Sequence, residues 1–254
     1  MNDADDPSEQ TAIAVLGEAM HELRRFGTVV LDNAVELSKT IGVDSEGKPL
    51  NLVLGLDKAD ILRGQATTIL YTVQLMFARL NLIDIEIDPR QFEKTTRVTM
   101  GVYTKFDKAR KMLREVAKHQ RVRVKFDGHS HRQLPLYPVF DILPFLLLDN
   151  AVKYAPSNSE IVVEFLEING YIQVTVNSLG PEVAPDELLK LTDKWFRGSN
   201  AKTFTKEGSG FGLYFSKFIC DMHGIRFEIS QKGNPFEFNA VPFRTFVVDL
   251  RIPT

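Results

Sequence analysis

Residues 13–41 carry apolar side chains at alternating steps of three and four, which is the spacing of a heptad repeat. The seam consists of Ile13, Leu16, Met20, Leu23, Gly27, Val30, Ala34, Leu37 and Ile41. Glycine and proline break the pattern in residues 42–55, and a second seam follows. It consists of Leu62, Ala66, Ile69, Val73, Met76 and Leu80. The two seams predict a helical hairpin.

A lone hairpin leaves much of its apolar stripe exposed to water. We therefore expect two copies to pair into a dimeric four-helix bundle, because the seams are long and regular. The alternative is that the stripe packs against the rest of the same chain.

From about residue 85 the pattern changes to a mixture of helices and strands without strict alternation. The pattern predicts helices at 102–119, 143–155 and 215–224, strands at 121–126, 226–230 and 244–252, and a β-hairpin around Asn169-Gly170. Such a mixture favours an α+β sandwich. We therefore expect two domains, residues 1–85 and 86–254.

Composition narrows the class of protein. The chain has 254 residues, of which 44% are hydrophobic and 25% charged, and its net charge is −2, so no basic field favours nucleic acid. The single cysteine, Cys220, excludes an internal disulfide and a cysteine-rich zinc site. No apolar run approaches the roughly 20 residues of a membrane span. The N-terminus lacks the basic and apolar regions of a signal peptide. These features predict a cytoplasmic protein.

Polar side chains with a common direction interrupt the apolar helix at 143–155. Lys153 and Tyr154 follow Asn150 by three and four positions, so all three share a face. A carboxamide oxygen can bind magnesium, and the lysine and tyrosine can bind phosphate. Alternatively, Asn150 bonds the backbone near the helix end.

A long, turn-rich segment, residues 181–207, precedes three alternating glycines; we call it the lid segment. Loops of this length inside a compact domain are usually functional or disordered. Its basic residues are Lys190, Lys194, Arg197, Lys202 and Lys206. Gly208, Gly210 and Gly212 then lead into a helix, whose free N–H groups favour an anion. Neither a P-loop nor a dinucleotide fingerprint fits this spacing.

Four stretches, in this order, resemble the N, G1, F and G2 boxes of the GHKL ATP-binding fold in its histidine kinase form. They are LLLDNAVKYAP (146–156), VNSLGPEV (176–183), DKWFRG (193–198) and GSGFGL (208–213). The resemblance implies a GHKL α/β sandwich that binds ATP and Mg²⁺, with Asn150 holding the metal. It implies that the nucleotide is bound by Asn150, Lys153, Tyr154, Ser178, Gly180, Gly208, Gly210, Gly212 and Leu213.

The chain departs from the family pattern in the G1 box. Ser178 stands where the family has an aspartate that bonds the adenine amino group, with Asn177 beside it, and Glu182 replaces the second glycine. Either serine or asparagine can accept a hydrogen bond without a charge. Hydrolytic relatives such as gyrase and MutL carry a glutamate as general base four residues before the box asparagine. Leu146 occupies that position here, which argues against hydrolysis.

A candidate phosphoacceptor lies on the first heptad helix. His21 follows the seam residue Met20 and so faces outward, and the stretch HELR (21–24) resembles the H box of histidine kinases. The resemblance implies that His21 accepts the phosphoryl group and that Glu22 helps to remove its proton. The family usually has threonine or asparagine where Arg25 stands, so phosphatase activity is not expected. Alternatively, His21 is an ordinary exposed histidine.

The sequence thus predicts the core of a two-component histidine kinase. In this hypothesis a homodimer phosphorylates His21 with ATP-Mg and passes the phosphoryl group to an aspartate of a response regulator. One alternative is a degenerate kinase that acts as a phosphotransfer or scaffold protein, supported by Ser178 and Glu182. A second alternative is a GHKL ATPase, which Leu146 disfavours.

Overall fold

The structure is a computed structural model. It describes residues 27–37, single positions and short runs between 62 and 80, and residues 95–254 except Glu207, Ser209 and the side chain of Glu115. The chain divides into two compact units, Met1–Lys94 and Thr95–Thr254.

The first unit is helical wherever it is described. Residues 27–37 form a helix, and every described position between 62 and 80 is helical. His21 and Glu22 lie outside the described residues, as does the connection at 42–55 that would make the two helices a hairpin. The dimeric bundle therefore stays a prediction.

The second unit is built on a mixed five-stranded sheet of order β2-β4-β5-β7-β6. The β2–β4 pair is parallel, and the other neighbouring pairs are antiparallel. A separate antiparallel pair joins β1 to β3. The strands are β1 Val98–Gly101, β2 Arg123–Gly128, β3 Gln133–Leu136, β4 Glu160–Ile168, β5 Tyr171–Pro181, β6 Arg226–Phe238 and β7 Val241–Pro253.

The second unit also contains helices. They are α1 Val102–Met112, α2 Arg114–His119, α3 Leu143–Tyr154, α4 Pro185–Leu188, α5 Ser199–Phe204 and α6 Gly212–His223, with a 3₁₀ turn at Pro138–Ile142. The central helix α3 packs against α1, α6 and β5. In β5 each second residue, from Ile172 to Gly180, is buried, while the residues between them are half-buried. The buried set faces the helices, as the period of two requires. This arrangement confirms the α/β sandwich for the C-terminal part.

The predicted helix at 102–119 is two helices. The helix is interrupted at Leu113, whose φ of −83° and ψ of 0° lie outside the α-helical region. Leu113 and Ala117 are both buried, so the break keeps apolar side chains of both helices in the core. An amphipathic period continues across such a break, which is why the pattern predicts a single helix.

The last two strands are longer than predicted. The pattern predicts strands at 226–230 and 244–252, whereas β6 continues to Phe238 and β7 begins at Val241. Gly233 and Pro235 conceal the extension, since both residues are typical of turns. A register shift between Lys232 and Phe236 accommodates them. Among the described residues, no helix is long and apolar enough to cross a membrane.

Candidate nucleotide-binding site

The helix α3 presents polar side chains at the end of a buried apolar stretch. Residues 143–148 are all buried, and Pro144 lies in the first turn, where its missing N–H costs nothing. Asn150, Lys153 and Tyr154 follow on the last turns and are each half-buried. The core therefore fixes the helix, while these three side chains stay accessible to a ligand.

Lys153 and Tyr154 converge on Gly208, which is distant in sequence. A Cβ on Gly208 would lie 3.0 Å from Nζ of Lys153 and 3.1 Å from the hydroxyl of Tyr154. The Lys153 ammonium also lies 4.7 Å from the centre of the Tyr154 ring. Gly208 has a φ of +111°, a conformation that favours glycine. A cation and a hydroxyl donor beside a glycine backbone form a place where phosphate oxygens can bind.

Gly210 lies at a close approach of two backbone segments. It has a φ of +84°, and a Cβ there would lie 2.6 Å from the carbonyl carbon of Trp195 and 2.8 Å from the carbonyl oxygen of Phe196. Glycine is thus required because two backbone segments meet, the F box and the G2 box. The side chains reinforce this meeting, since the rings of Trp195 and Phe211 are 4.1 Å apart in a T-shaped arrangement.

Gly212 and Leu213 begin the helix α6. Beyond the adjacent residues and the backbone of α6 itself, no atom of the described residues lies within 4 Å of a Cβ built on Gly212, so there is space beside this end of the helix. No side chain of the described residues caps the helix at Phe211. Backbone N–H groups at the start of a helix favour an anion, so a phosphate site at this end of α6 stays a prediction.

The two polar residues of the G1 stretch face opposite sides of the sheet. Ser178 is 6% exposed and lies on the face of β5 that the helices cover. Asn177 lies on the other face, where its Nδ2 donates to Oε2 of Glu164 at 3.2 Å. Gly180 shares the Ser178 face, and a Cβ there would touch Cβ of Phe246 at 3.4 Å. Of the two polar residues, Ser178 is therefore the one that lies on the side of α3.

The lid segment contains two short helices, α4 and α5, and two of its cations are engaged. Nη2 of Arg197 donates to the carbonyl oxygens of Thr205 at 2.7 Å and Ala201 at 3.3 Å. Nζ of Lys194 lies 5.8 Å from the ring centres of Phe211 and Tyr214. Arg197 thus holds the lid segment together, and Lys194 lies against the G2 stretch.

Glu187 of α4 ties the two lid helices together. Its carboxylate accepts hydrogen bonds from Oγ of Ser199 at 2.5 Å and from the Ser199 backbone N–H at 3.1 Å. These bonds from Ser199, together with smaller contributions from the backbone of Ala184 and the charge of Lys202, lower the pKa of Glu187, although partial burial opposes the shift. The carboxylate is therefore ionised at neutral pH, and it binds Ser199, the first residue of α5.

His223 is a structural residue that the sequence pattern does not indicate. Its Nδ1 lies 2.7 Å from the carbonyl oxygen of Ile219, and its Nε2 accepts the N–H of Tyr137 at 3.0 Å. The ring is 8% exposed, and burial is the main reason why the pKa of His223 is lowered; the charge of Arg97 adds to the effect. A neutral His223 thus ties α6 to the segment that leads into α3.

The described residues contain no group of three acidic, histidine or cysteine side chains that could hold a metal ion by themselves. Asn150 fits a magnesium ion held together with nucleotide phosphates, because Mg²⁺ keeps several waters and needs few protein ligands. Within the described part of the chain, no hydrogen bond engages the Asn150 side chain. Its oxygen is therefore available.

A cavity of about 730 Å³ lies elsewhere in the second unit. Its lining includes Asn177, Glu164 and Asp249 on the outward face of the sheet. Leu188, Leu189 and Thr192 of the lid segment also line it, whereas none of the predicted nucleotide-binding residues does. The candidate site thus lies around α3 and residues 208–213, on the other side of β5.

Part of the second unit is similar to known proteins. Residues 145–245 match the family described as histidine kinase-, DNA gyrase B-, and HSP90-like ATPase. The sensor histidine kinase CusS of Escherichia coli strain CFT073 is 38% identical over 77 residues, which are 30% of this chain and 16% of CusS. The phosphate regulon sensor protein PhoR of Pseudomonas aeruginosa is 29% identical over 110 residues, 42% of this chain and 25% of PhoR.

The fold also matches a solved structure. The catalytic domain of histidine kinase ThkA superposes with a TM-score of 0.51 at 16% identity, over 62% of this chain and 95% of that domain. The chain matches a quarter or less of the length of the two curated relatives. The resemblance to a histidine kinase core is therefore confirmed to this extent: residues 145–245 match the model of the histidine kinase-, DNA gyrase B-, and HSP90-like ATPase family, and the fold matches a histidine kinase catalytic domain.

Proposed function

We propose that this chain is the core of a two-component histidine kinase that transfers the γ-phosphoryl group of ATP to His21. The observation that carries the nucleotide part is the convergence of Lys153 and Tyr154 on Gly208, next to Asn150 on the same helix. These groups offer one positive charge, a hydroxyl donor and a carboxamide oxygen in one place. That combination suits a nucleotide with its magnesium ion better than any uncharged ligand.

Each group has a distinct role in this proposal. Lys153 and Tyr154 bind phosphate oxygens, the first turn of α6 adds backbone N–H donors, and Ser178 binds the adenine. Asn150 holds the magnesium ion, which would neutralise charge on the phosphates. The lid segment excludes water, and the Gly210–Trp195 contact places it against the site.

Transfer rather than hydrolysis is favoured by Leu146. Its side chain lies on α3 and is 3% exposed. Hydrolytic relatives carry a glutamate at this position. A buried leucine cannot take a proton from water. We therefore infer that a protein side chain, rather than water, is the phosphoryl acceptor.

His21 is that acceptor in our proposal, on the strength of the HELR stretch and its outward position in the heptad repeat. An imidazole nitrogen of His21 would bond to phosphorus, ADP would leave, and Glu22 would take the imidazole proton. A second copy of the chain would complete a four-helix bundle through residues 13–80, and an aspartate of a response regulator would receive the phosphoryl group.

A second candidate function is a degenerate kinase that acts as a scaffold. The specific observation in its favour is that Glu182, at the second glycine position of the G1 box, is held in an ion pair with Arg244 at 3.2 Å. A side chain fixed there narrows the freedom that a glycine would give the loop.

Incubation with ATP labelled on the γ-phosphate tests the proposal. We expect label on the protein that is labile to acid and stable to alkali. The label should disappear in His21→Ala, which keeps nucleotide binding, and in Asn150→Ala, which loses it. His119→Ala, which removes an exposed histidine at the end of α2, should keep the label.

Other outcomes would assign the other functions. Release of free phosphate without labelled protein would indicate an ATPase, and neither product would indicate the scaffold. Label that persists in His21→Ala would contradict the assignment of the acceptor. Light scattering that shows a monomer at micromolar concentration would contradict the bundle.

A further inference from the structure

The hairpin of β6 and β7 ends just past the last pairing of β7 with β5, which joins Pro181 to Phe243. The turn between Phe238 and Val241 is formed by Asn239 and Ala240, both left-handed, with φ of 51° and 58°. Two such residues are typical of a type I′ turn, which matches the twist of the flanking strands. We call residues Phe236–Phe243 the hairpin tip.

An aromatic cluster joins the hairpin tip to the lid segment. Phe243 is fully buried, and the ring of Phe204, the last residue of α5, packs against it at 5.0 Å in a T-shaped arrangement. Phe238 lies 5.6 Å from Phe243 and 6.4 Å from Phe204. A lid helix thus contributes a ring to a core that the hairpin tip supplies. Aromatic pairs in this geometry contribute beyond the area that they bury.

Both hairpin strands also hold the start of the lid segment. On the β7 side, the N–H of Glu182 donates to the carbonyl oxygen of Pro242 at 2.7 Å, and the Glu182 carboxylate pairs with Arg244. On the β6 side, Gln231 accepts the N–H of Val183 at 2.9 Å and donates to the carbonyl oxygen of Pro181 at 3.1 Å. Residues 181–183 are therefore attached to both strands.

Contacts inside the lid segment connect these two anchors. Nδ2 of Asn200, in α5, donates to the carbonyl oxygen of Glu182 at 2.7 Å. The Arg197 guanidinium donates to the carbonyl oxygen of Thr205, one residue after Phe204. The helix α5 is thus attached at its first turn to Glu182 and at its end to the hairpin tip.

We propose that the hairpin tip is a dock for the lid segment, which positions α5 before any nucleotide binds, with Phe204 and Phe238 as the positioning residues. The effect on nucleotide affinity rests on the proposed function, whereas the docking itself does not. In this proposal Glu182 is part of the dock, because its ion pair with Arg244 fixes the start of the lid segment. In this proposal, the glutamate that stands in place of the glycine makes the lid segment more ordered.

Hydrogen exchange of the full chain without nucleotide tests the dock. We expect amides of residues 199–205 to exchange about tenfold faster or more in Phe204→Ala and in Phe238→Ala, because loss of the aromatic contact undocks α5. Phe204→Leu should restore part of the protection. Phe236→Ala is the matched control. Its ring is 42% exposed and lies 6.0 Å from Phe243, and among the described residues no contact joins it to Phe204.

Titration with ATP and magnesium gives the second measurement. If the dock positions the lid segment for nucleotide, Phe204→Ala should weaken ATP binding. The loss of affinity should be roughly the factor by which the variant speeds amide exchange of residues 199–205. The melting temperature of the second unit should change little. Failure of the unmodified protein to bind ATP would end the proposed function but leave the exchange comparison intact. Unchanged exchange of residues 199–205 in both alanine variants would overturn the dock.

Discussion

Gly210 lies against the backbone of Trp195 so closely that a methyl group at position 210 would stand 2.6 Å from the Trp195 carbonyl carbon. The contact joins the middle of the lid segment to the glycine stretch that follows it. Trp195 itself has a φ of +68°, a conformation that non-glycine residues rarely adopt. The close approach is therefore maintained at a conformational cost in Trp195.

Gly210→Ala should separate these two segments and lower both stability and ATP affinity. An alanine in the left-handed region costs about 1–2 kcal/mol even without the overlap with Trp195. Thermal unfolding and calorimetric titration with ATP-Mg measure the two effects. Gly212→Ala is the matched control, because a Cβ there meets no atom within 4 Å, and it should unfold at the temperature of the unmodified protein. Equal behaviour of the two variants would contradict the backbone contact.

Lys153→Met should weaken ATP binding by about tenfold or more, since a hydrogen bond to a charged group contributes about 1.5–3 kcal/mol. The methionine keeps the apolar stem of the side chain beside Tyr154 and removes the charge near Gly208. Calorimetric titration measures the affinity. Lys217→Met provides the control, because Lys217 is paired with Asp221 on an exposed face of α6 and should not affect binding. An unchanged affinity in Lys153→Met would place the phosphates elsewhere.

Ser178→Asp should strengthen ATP binding by about tenfold, because a charged acceptor bonds the adenine amino group more strongly than a hydroxyl. The same carboxylate, nearly buried without a partner, should lower the free energy of unfolding in the absence of nucleotide. Asn177→Asp is the control that only the structure supplies, since Asn177 lies on the opposite face beside Glu164. If ATP affinity increased in Asn177→Asp and not in Ser178→Asp, the assignment of Ser178 to the adenine position would be wrong.

Stability of the second unit should fall as the pH falls below about 6.5, the ordinary pKa of histidine. The pKa of His223 is lowered in the folded state, so the unfolded state binds the proton first as the solution is acidified. Stability from the neutral ring is thus fully present above the unfolded pKa and is lost as the pH falls through the folded pKa. Denaturant unfolding between pH 8 and pH 5 measures this loss.

His223→Gln is the comparison for the pH dependence. Glutamine can offer a donor and an acceptor but does not titrate in this range. We expect a lower free energy of unfolding at pH 8 and a smaller decrease towards pH 5 than in the unmodified protein. An identical slope in both proteins would assign the pH dependence to other groups.

Much of the C-terminal fold could be predicted from the sequence because its signals are local. The apolar run at 143–148 produces a buried helix, Asn169-Gly170 closes the β4–β5 hairpin, and Gly224 ends α6 with a φ of +65°. The order of the four motifs likewise indicates the nucleotide-binding family before any contact is known. Each of these signals depends only on neighbouring residues and the period of 2 or 3.6.

The tertiary structure decided the relationships between residues that are distant in the chain. Three examples are the meeting of Lys153 with Gly208, the packing of Gly210 on Trp195 and the docking of Phe204 on Phe243. In each of them, loops separate the two residues along the chain. The face on which Ser178 lies depends on strand register, since a shift of one residue would exchange it with Asn177. The sequence by itself therefore determined most of the elements of the second unit and its resemblance to the histidine kinase core. Only the packing of those elements decided which side chains share the site, because that depends on contacts and register rather than on local period.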